Sequence, residues 1–242
     1  MEVYNNAIYL LWILIDLSLL LAAFALWGRT GIVAVISATV ILMNIFVLKG
    51  IRLFGLDATG GNVLYASLFL GTDIIAEYFG AREARKAVFI GFFLSLLFLI
   101  ASRFILLFEP APWDRFHEVM NALFSPVWRI VIASIFSYIV SQNLDVLTFS
   151  WLKLRFPRQL WLRNNASTWS SQIVDTVLFC SIAFVGLYEL RIVLGIMLST
   201  YILKVVVAAI DTPFIYLSRL LVRLRPAIAE ETSRAGPDRD SL

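Results

Sequence analysis

Seven apolar runs dominate the chain, at residues 7–27, 31–48, 62–79, 87–108, 126–152, 166–187 and 191–218, with short polar or charged links between them. Each approaches the ~20 residues that a helix needs to cross the hydrocarbon core of a bilayer. The pattern predicts an all-α fold, a polytopic integral membrane bundle of six or seven transmembrane helices. The third run is the shortest and most polar, which makes it the candidate for a re-entrant segment. The YELR link at 188–191 is so tight that its flanking helices must form an antiparallel hairpin. Residues 1–220 read as the transmembrane domain and 221–242 as a cytoplasmic tail. From Pro226 that tail (PAIAEETSRAGPDRDSL) is polar and of mixed charge, a composition that predicts disorder.

Composition supports the membrane reading. Of 242 residues 60% are apolar and 15% charged, and the mean hydropathy of +0.85 lies far outside the soluble range. Basic residues cluster in three places: Arg82, Arg85 and Lys86; Lys153, Arg155, Arg158 and Arg163; and Arg219, Arg223 and Arg225. With seven spans these clusters share one face, and the positive-inside rule makes that face cytoplasmic. The amino terminus is then outside, the carboxyl terminus inside, and the 109–125 loop outside. The net charge of +3 is explained by these loops and calls for no nucleic-acid partner. The first run lacks a basic leader and reads as a retained helix. Cys180, the single cysteine, lies within a span and forms no internal disulfide.

Ionisable groups within a membrane are costly, about 2.5–3.5 kcal/mol each on insertion scales, and mark functional positions by default. Asp73, Asp145, Asp175 and Asp211 each fall roughly 10–15 Å from the cytoplasmic end of their own span at 1.5 Å per residue. Lys204 lies in the last span, near enough to offset part of that charge. Asp73 and Glu77, four residues apart, share a helical face. SQNLDVLTF (141–149) and SQIVDTVLF (171–179) repeat Ser-Gln-x-x-Asp-x-x-x-Phe 30 residues apart on helices that run oppositely. Gln142 with Asp145, and Gln172 with Asp175, therefore project from one side of each helix. This resembles the inverted repeats of transporters, whose sites lie near the midplane. Pro213, after Asp211 and Thr212, predicts a kink in the last span.

Plainer readings compete with these. Glu77 can reach the headgroups, Asp73 can pair with a buried cation, and the Gln and Asp residues of the repeat can be interhelical glue. Asn164 and Asn165 can cap a helix start. His117 stands without clustered ligands, so no metal site is expected.

No nucleophile with an adjacent base and no glycine-rich phosphate loop is present, so no catalytic residues are assigned. Carboxylates and side-chain amides at mid-depth suit a polar solute, and Tyr65, Phe149, Phe179 and Tyr201 can stack on a flat ring. A purine-like base fits this chemistry, because its ring N–H and exocyclic amine form a donor pair for one carboxylate. Composition alone goes no further than a small polar solute.

Four segments in order, TDIIAEYFGAREARKAV (72–88), SQNLDV (141–146), WLRNNASTWSSQIVDT (161–176) and YILKVVVAAIDTPFIY (201–216), resemble the YhhQ-type queuosine precursor transporters, or vitamin uptake transporter family. The resemblance spans about residues 40–220 and implies a bacterial inner-membrane importer of 7-deazaguanine bases such as 7-cyano-7-deazaguanine, for salvage into tRNA queuosine. It implies substrate contacts from Asp73, Glu77, Gln142, Asp145, Gln172, Asp175, Lys204 and Asp211, and a cytoplasmic mouth at Arg163, Asn164 and Asn165. No cofactor is implied. A substrate-capturing subunit of an energised uptake complex, and a membrane enzyme or scaffold, stay open as alternatives, as does an oligomeric state.

Overall fold

The computed structural model describes residues 2–156, 160–210 and 212–235. Side chains of several helical residues, among them Gln142, Asp145 and residues 160–165, lie outside the described set. The first helix, α1 (Glu2–Phe46), is two helices joined at Gly28, where φ is 57° and ψ −140°. That is left-handed backbone, open to glycine at no steric cost. The halves fold back on each other. A Cβ at Gly31 would lie 2.3 Å from the carbonyl oxygen of Ala23, so the two backbones touch. At the far end Asn5 donates to the Arg52 carbonyl (3.2 Å), and Asn6 accepts from the Phe54 amide (2.9 Å). The amino terminus thus returns to the level at which the second half of α1 ends. The first two predicted spans are this hairpin of helices.

The segment after α1 is not helical. Strands β1 (Gly50–Leu53) and β2 (Leu56–Thr59) pair antiparallel, with Gly50 opposite Thr59 and Leu53 opposite Leu56. The two-residue turn between them has positive φ at both Phe54 (52°) and Gly55 (80°), the pattern of a type I′ turn. A 3-10 turn over Gly60–Leu64 leads into α2 (Tyr65–Phe79). The all-α expectation therefore holds for the crossing elements and is corrected at 50–64. The third run, 62–79, is the end of that turn and a helix of 15 residues, about 22 Å long at the usual rise. Irregular backbone in a membrane protein is tolerated where protein surrounds it. Here α7 (Leu190–Ile210) does so: Ser199 donates to the Asp57 carbonyl, and Asn62 bonds Thr200 at 3.1 Å.

The remaining elements are α3 (Ala81–Ile105), α4 (His117–Phe124), α5 (Val127–Arg155), α6 (Leu160–Phe184), α8 (Thr212–Leu224) and α9 (Pro226–Ala235). Helix α2 packs on α3, α3 on α5, α5 on α6, α6 on α7 and α7 back on α2, which closes a ring of five helices. The paired halves of α1 back this ring along α2 and α3, and their core residues (Ile13, Leu17, Ile32, Ile36) meet Leu70 and Ile74 of α2. Among the described residues, four helical stretches are long and apolar enough to cross a bilayer: Val3–Phe46, Arg82–Ile105, His117–Ser141 and Leu190–Val207. The bundle's outer faces carry exposed Leu11, Leu19, Phe93 and Phe104, as a lipid-facing surface requires. The protein is a multi-pass helical membrane protein.

One end of the bundle is basic. Arg29 pairs with Glu83 (3.0 Å) and Arg219 with Glu77 (2.9 Å), which brings the Gly28 turn, the α2–α3 junction and α8 together. The tail joins them. Expected to be disordered from Pro226, it forms α9 as far as Ala235, and residues 236–242 lie outside the described set. Two contacts explain its order: Ile228 is buried in the main core, and Glu231 accepts the Arg29 amide at 3.3 Å, at the start of the second half of α1. A carboxylate at a helix amino terminus is favourable.

Candidate functional site

Two turns from the carboxyl end of α7, Lys204 turns into the ring and meets Asp175 of α6, with Nζ 2.6 Å from Oδ2. Ser141 of α5 donates to the other carboxylate oxygen at 3.3 Å. The ammonium lies 5.0 Å from the centroid of the Tyr65 ring, at the start of α2, where a cation–π attraction adds to the ion pair. Tyr65 in turn stacks on Phe69, with centroids 5.7 Å apart and planes 9° from parallel. Helices α2, α5, α6 and α7 thus meet at one charged point. Lys204 is only 5% exposed, whereas the Asp175 side chain keeps 20% of its surface open. The pair is accessible from the carboxylate side.

Three buried polar atoms on the helices that carry Asp175 and Ser141 have no hydrogen-bond partner among the described residues. Gln172 Oε1 and Thr176 Oγ1 lie within one helical turn of Asp175 on α6, and Ser137 Oγ lies one turn before Ser141 on α5; all three are buried and without a hydrogen bond. Buried polar groups are ordinarily satisfied, and each exception needs an explanation. The antiparallel packing of α5 and α6 creates this region, with Ile130 and Ala133 meeting Ala183 and Phe184 at one end and Ser141 meeting Asp175 deeper in. Ser141 and Asp175 belong to different copies of the repeated Ser-Gln-x-x-Asp motif. One copy's serine therefore serves the other copy's aspartate.

Asp73 lies on the same line of α2 as Tyr65 and Phe69, at successive steps of four residues. It is exposed, and no ion pair or hydrogen bond joins it to the cluster among the described residues. Glu77 is one turn further on and pairs with Arg219, an exposed contact at the basic end. Such pairs contribute little, so Arg219→Gln is expected to leave the melting temperature in detergent nearly unchanged. The side chains of Gln142, Asp145, Arg163, Asn164 and Asn165 lie outside the described residues, as does Asp211. Of the aromatic candidates, Phe179 packs edge-on to Phe184 at 5.8 Å within a second apolar cluster.

Sequence reasoning passed over Asp16. It lies in α1, only 6% exposed, and its Oδ2 accepts the amide of Ser67 at 2.9 Å in the first turn of α2. The Ser67 hydroxyl meets that of Thr39 at 3.2 Å. The signal was in plain view, since Asp16 is the one acidic residue of WILIDLSLLL (12–21).

A polar, ion-paired site enclosed by helices whose outer faces are apolar is the arrangement of a membrane transporter. The family model described as "Putative vitamin uptake transporter" matches residues 59–218, and the chain belongs to that family. A "Probable queuosine precursor transporter" of Bacillus subtilis is 36% identical over 221 residues, 90% of this chain and 96% of the relative. The "Queuosine precursor transporter" of Escherichia coli is 35% identical over 144 residues, 58% of this chain and 62% of the relative. A "Probable queuosine precursor transporter" of Haemophilus influenzae is 34% identical over 132 residues, 54% of each chain. Family and relatives are transporters, not enzymes. No solved structure matches.

Proposed function

We propose that this protein imports queuosine precursors, 7-deazaguanine bases such as 7-cyano-7-deazaguanine, across the bacterial inner membrane for salvage into tRNA queuosine. The basic end, with α8 and α9, faces the cytoplasm in this reading. One observation carries it: the Lys204–Asp175 pair lies beside the stacked Tyr65 and Phe69 rings, with three buried polar atoms left over. The names of the relatives support the same client.

The chemistry divides the work. The aromatic pair offers an apolar face to a flat ring. Lys204 commits one N–H to Asp175 and keeps others for the carbonyl of a guanine-like base. Gln172 Oε1 accepts from a ring or amine N–H. Because Asp175 is already neutralised by Lys204, unpaired Asp73 is the stronger acceptor for the full donor edge, and Asp175 holds the ammonium in place. Gln142, Asp145 and Asp211 complete the proposed binding set, Glu77 lies toward its exit, and Arg163, Asn164 and Asn165 guard the cytoplasmic mouth.

The test is uptake of the labelled base in a strain unable to make queuosine. Asp175→Asn keeps the shape and removes the charge that holds Lys204, and a lost charged hydrogen bond corresponds to roughly 10- to 100-fold in affinity. Uptake is expected to fall by about tenfold or more at equal membrane abundance. Unchanged uptake would refute the assignment. Uptake by the purified protein alone in liposomes excludes a subunit that depends on an ATPase partner.

A further inference from the structure

We infer that Asp16 is the proton-binding group through which a proton gradient drives transport, an inference that rests on the transport reading above.

Asp16 lies about midway along the first half of α1, roughly 20 Å from either end. It is buried at this depth with the Ser67 amide as its donor and the Ser67 and Thr39 hydroxyls close by. No cation pairs with it among the described residues. The charged groups on the surrounding elements are otherwise engaged or remote. On the second half of α1, Arg29 pairs with Glu83 of α3 at the basic end, and Lys86 of α3 also pairs with Glu83. The β hairpin brings Arg52, which pairs with Asp57. From α7 comes Lys204, held by Asp175, and from α8 comes Arg219, held by Glu77. On α2 the nearest titratable group is Tyr65, two residues before Ser67, and the nearest acidic one is Asp73, six residues past it. Tyr9, two turns before Asp16 on α1, is buried with an unpartnered hydroxyl.

Helix capping alone does not account for this carboxylate. Asn and Ser cap a helix as well as Asp does, and only Asp brings a charge that the membrane interior penalises. What a carboxylate adds is a second, neutral state. When Asp16 takes up a proton, its charge-assisted bond to the Ser67 amide and its attraction to the amino end of α2 both weaken. Tyr65, the ring that covers Lys204, lies two residues before Ser67 in the same turn. Protonation at Asp16 thereby loosens the element that roofs the substrate site, and the two events are linked through one helical turn.

The experiment compares wild type with Asp16→Asn in liposomes, using 7-cyano-7-deazaguanine as the probe. Asparagine keeps an acceptor for the Ser67 amide, and Asp16→Ser serves as a second neutral cap if the first variant does not fold. The expected result is exchange of internal for external base within about twofold of wild type, with accumulation driven by an imposed pH gradient abolished. Gradient-driven accumulation equal to wild type overturns the proposal, and so does loss of exchange together with accumulation, which marks a purely structural residue. If wild type neither exchanges nor accumulates the base, the transport reading fails. Asp16 is then judged by pH-difference infrared spectra without substrate: a protonated-carboxyl band missing from the variant supports it, and no such difference overturns it.

Discussion

Lys204→Met is expected to destabilise the protein by about 3–5 kcal/mol, the usual cost of stranding one member of a buried ion pair. With the ammonium gone, Asp175 keeps only the Ser141 hydroxyl as a partner among the described residues. Tyr65 loses the cation beneath its ring. The double variant Lys204→Met/Asp175→Leu is expected to recover most of that stability, since a buried pair replaced by apolar residues of similar size is often neutral or better. Neither variant should transport, because the proposed site draws on both charges. Melting curves of the two single variants and the double variant in detergent give the coupling directly. If the double variant is as unstable as the sum of the singles, the pair is not the linked unit that a 2.6 Å contact implies.

Gly31→Val is the second large effect. A Cβ there falls 2.3 Å from the Ala23 carbonyl oxygen and 2.8 Å from its carbon, and both are backbone atoms that no rotamer change can move. The two halves of α1 must separate, and the cost is at least the roughly 1–3 kcal/mol of an overpacked core. Strain should also reach Gly28, whose conformation reverses the chain three residues earlier. Low membrane abundance and a lowered melting temperature are the expected readouts. Gly50→Ala is the matching control, because a Cβ there meets nothing within 4 Å. Equal behaviour of the two variants would show that close approach of the α1 halves does not hold the fold.

The order of the crossing helices was legible in the sequence because burial in lipid leaves long uninterrupted apolar runs. Residues 50–59 were not, since strands of four residues leave no run to detect, although the Phe54-Gly55 turn flanked by Ile51, Leu53 and Leu56 is a hairpin signal on a small scale. α9 was hidden for the opposite reason: its composition is polar, and its order rests on one apolar anchor, Ile228, and one capping carboxylate, Glu231. At the candidate site, sequence singled out Asp175 and Lys204 separately, but their pairing needs the relative rotation of α6 and α7, which periodicity does not encode. Asp73, expected alongside Asp175 as a substrate acceptor, has no ion pair or hydrogen bond among the described residues. Asp16 escaped because it stands alone in the first apolar run, far from the acidic residues of the later spans, yet the rule that an ionisable group in a membrane helix is functional applied to it equally.

The β hairpin, already bonded to α1 at Asn5 and Asn6, and the 3-10 turn gain further bonds from α7. Asp57 and Asn62 leave the ribosome well over a hundred residues before Ser199 and Thr200, their partners. Until those residues are synthesised, residues 50–64 are held by α1 without the α7 bonds, and α2, about 22 Å long, is shorter than the ~30 Å hydrocarbon core. Biogenesis must therefore end with a locking step in which the last helices arrive and this segment is drawn inward. Nascent chains that stop short of residue 200 will keep it at the membrane surface, open to proteases and chaperones.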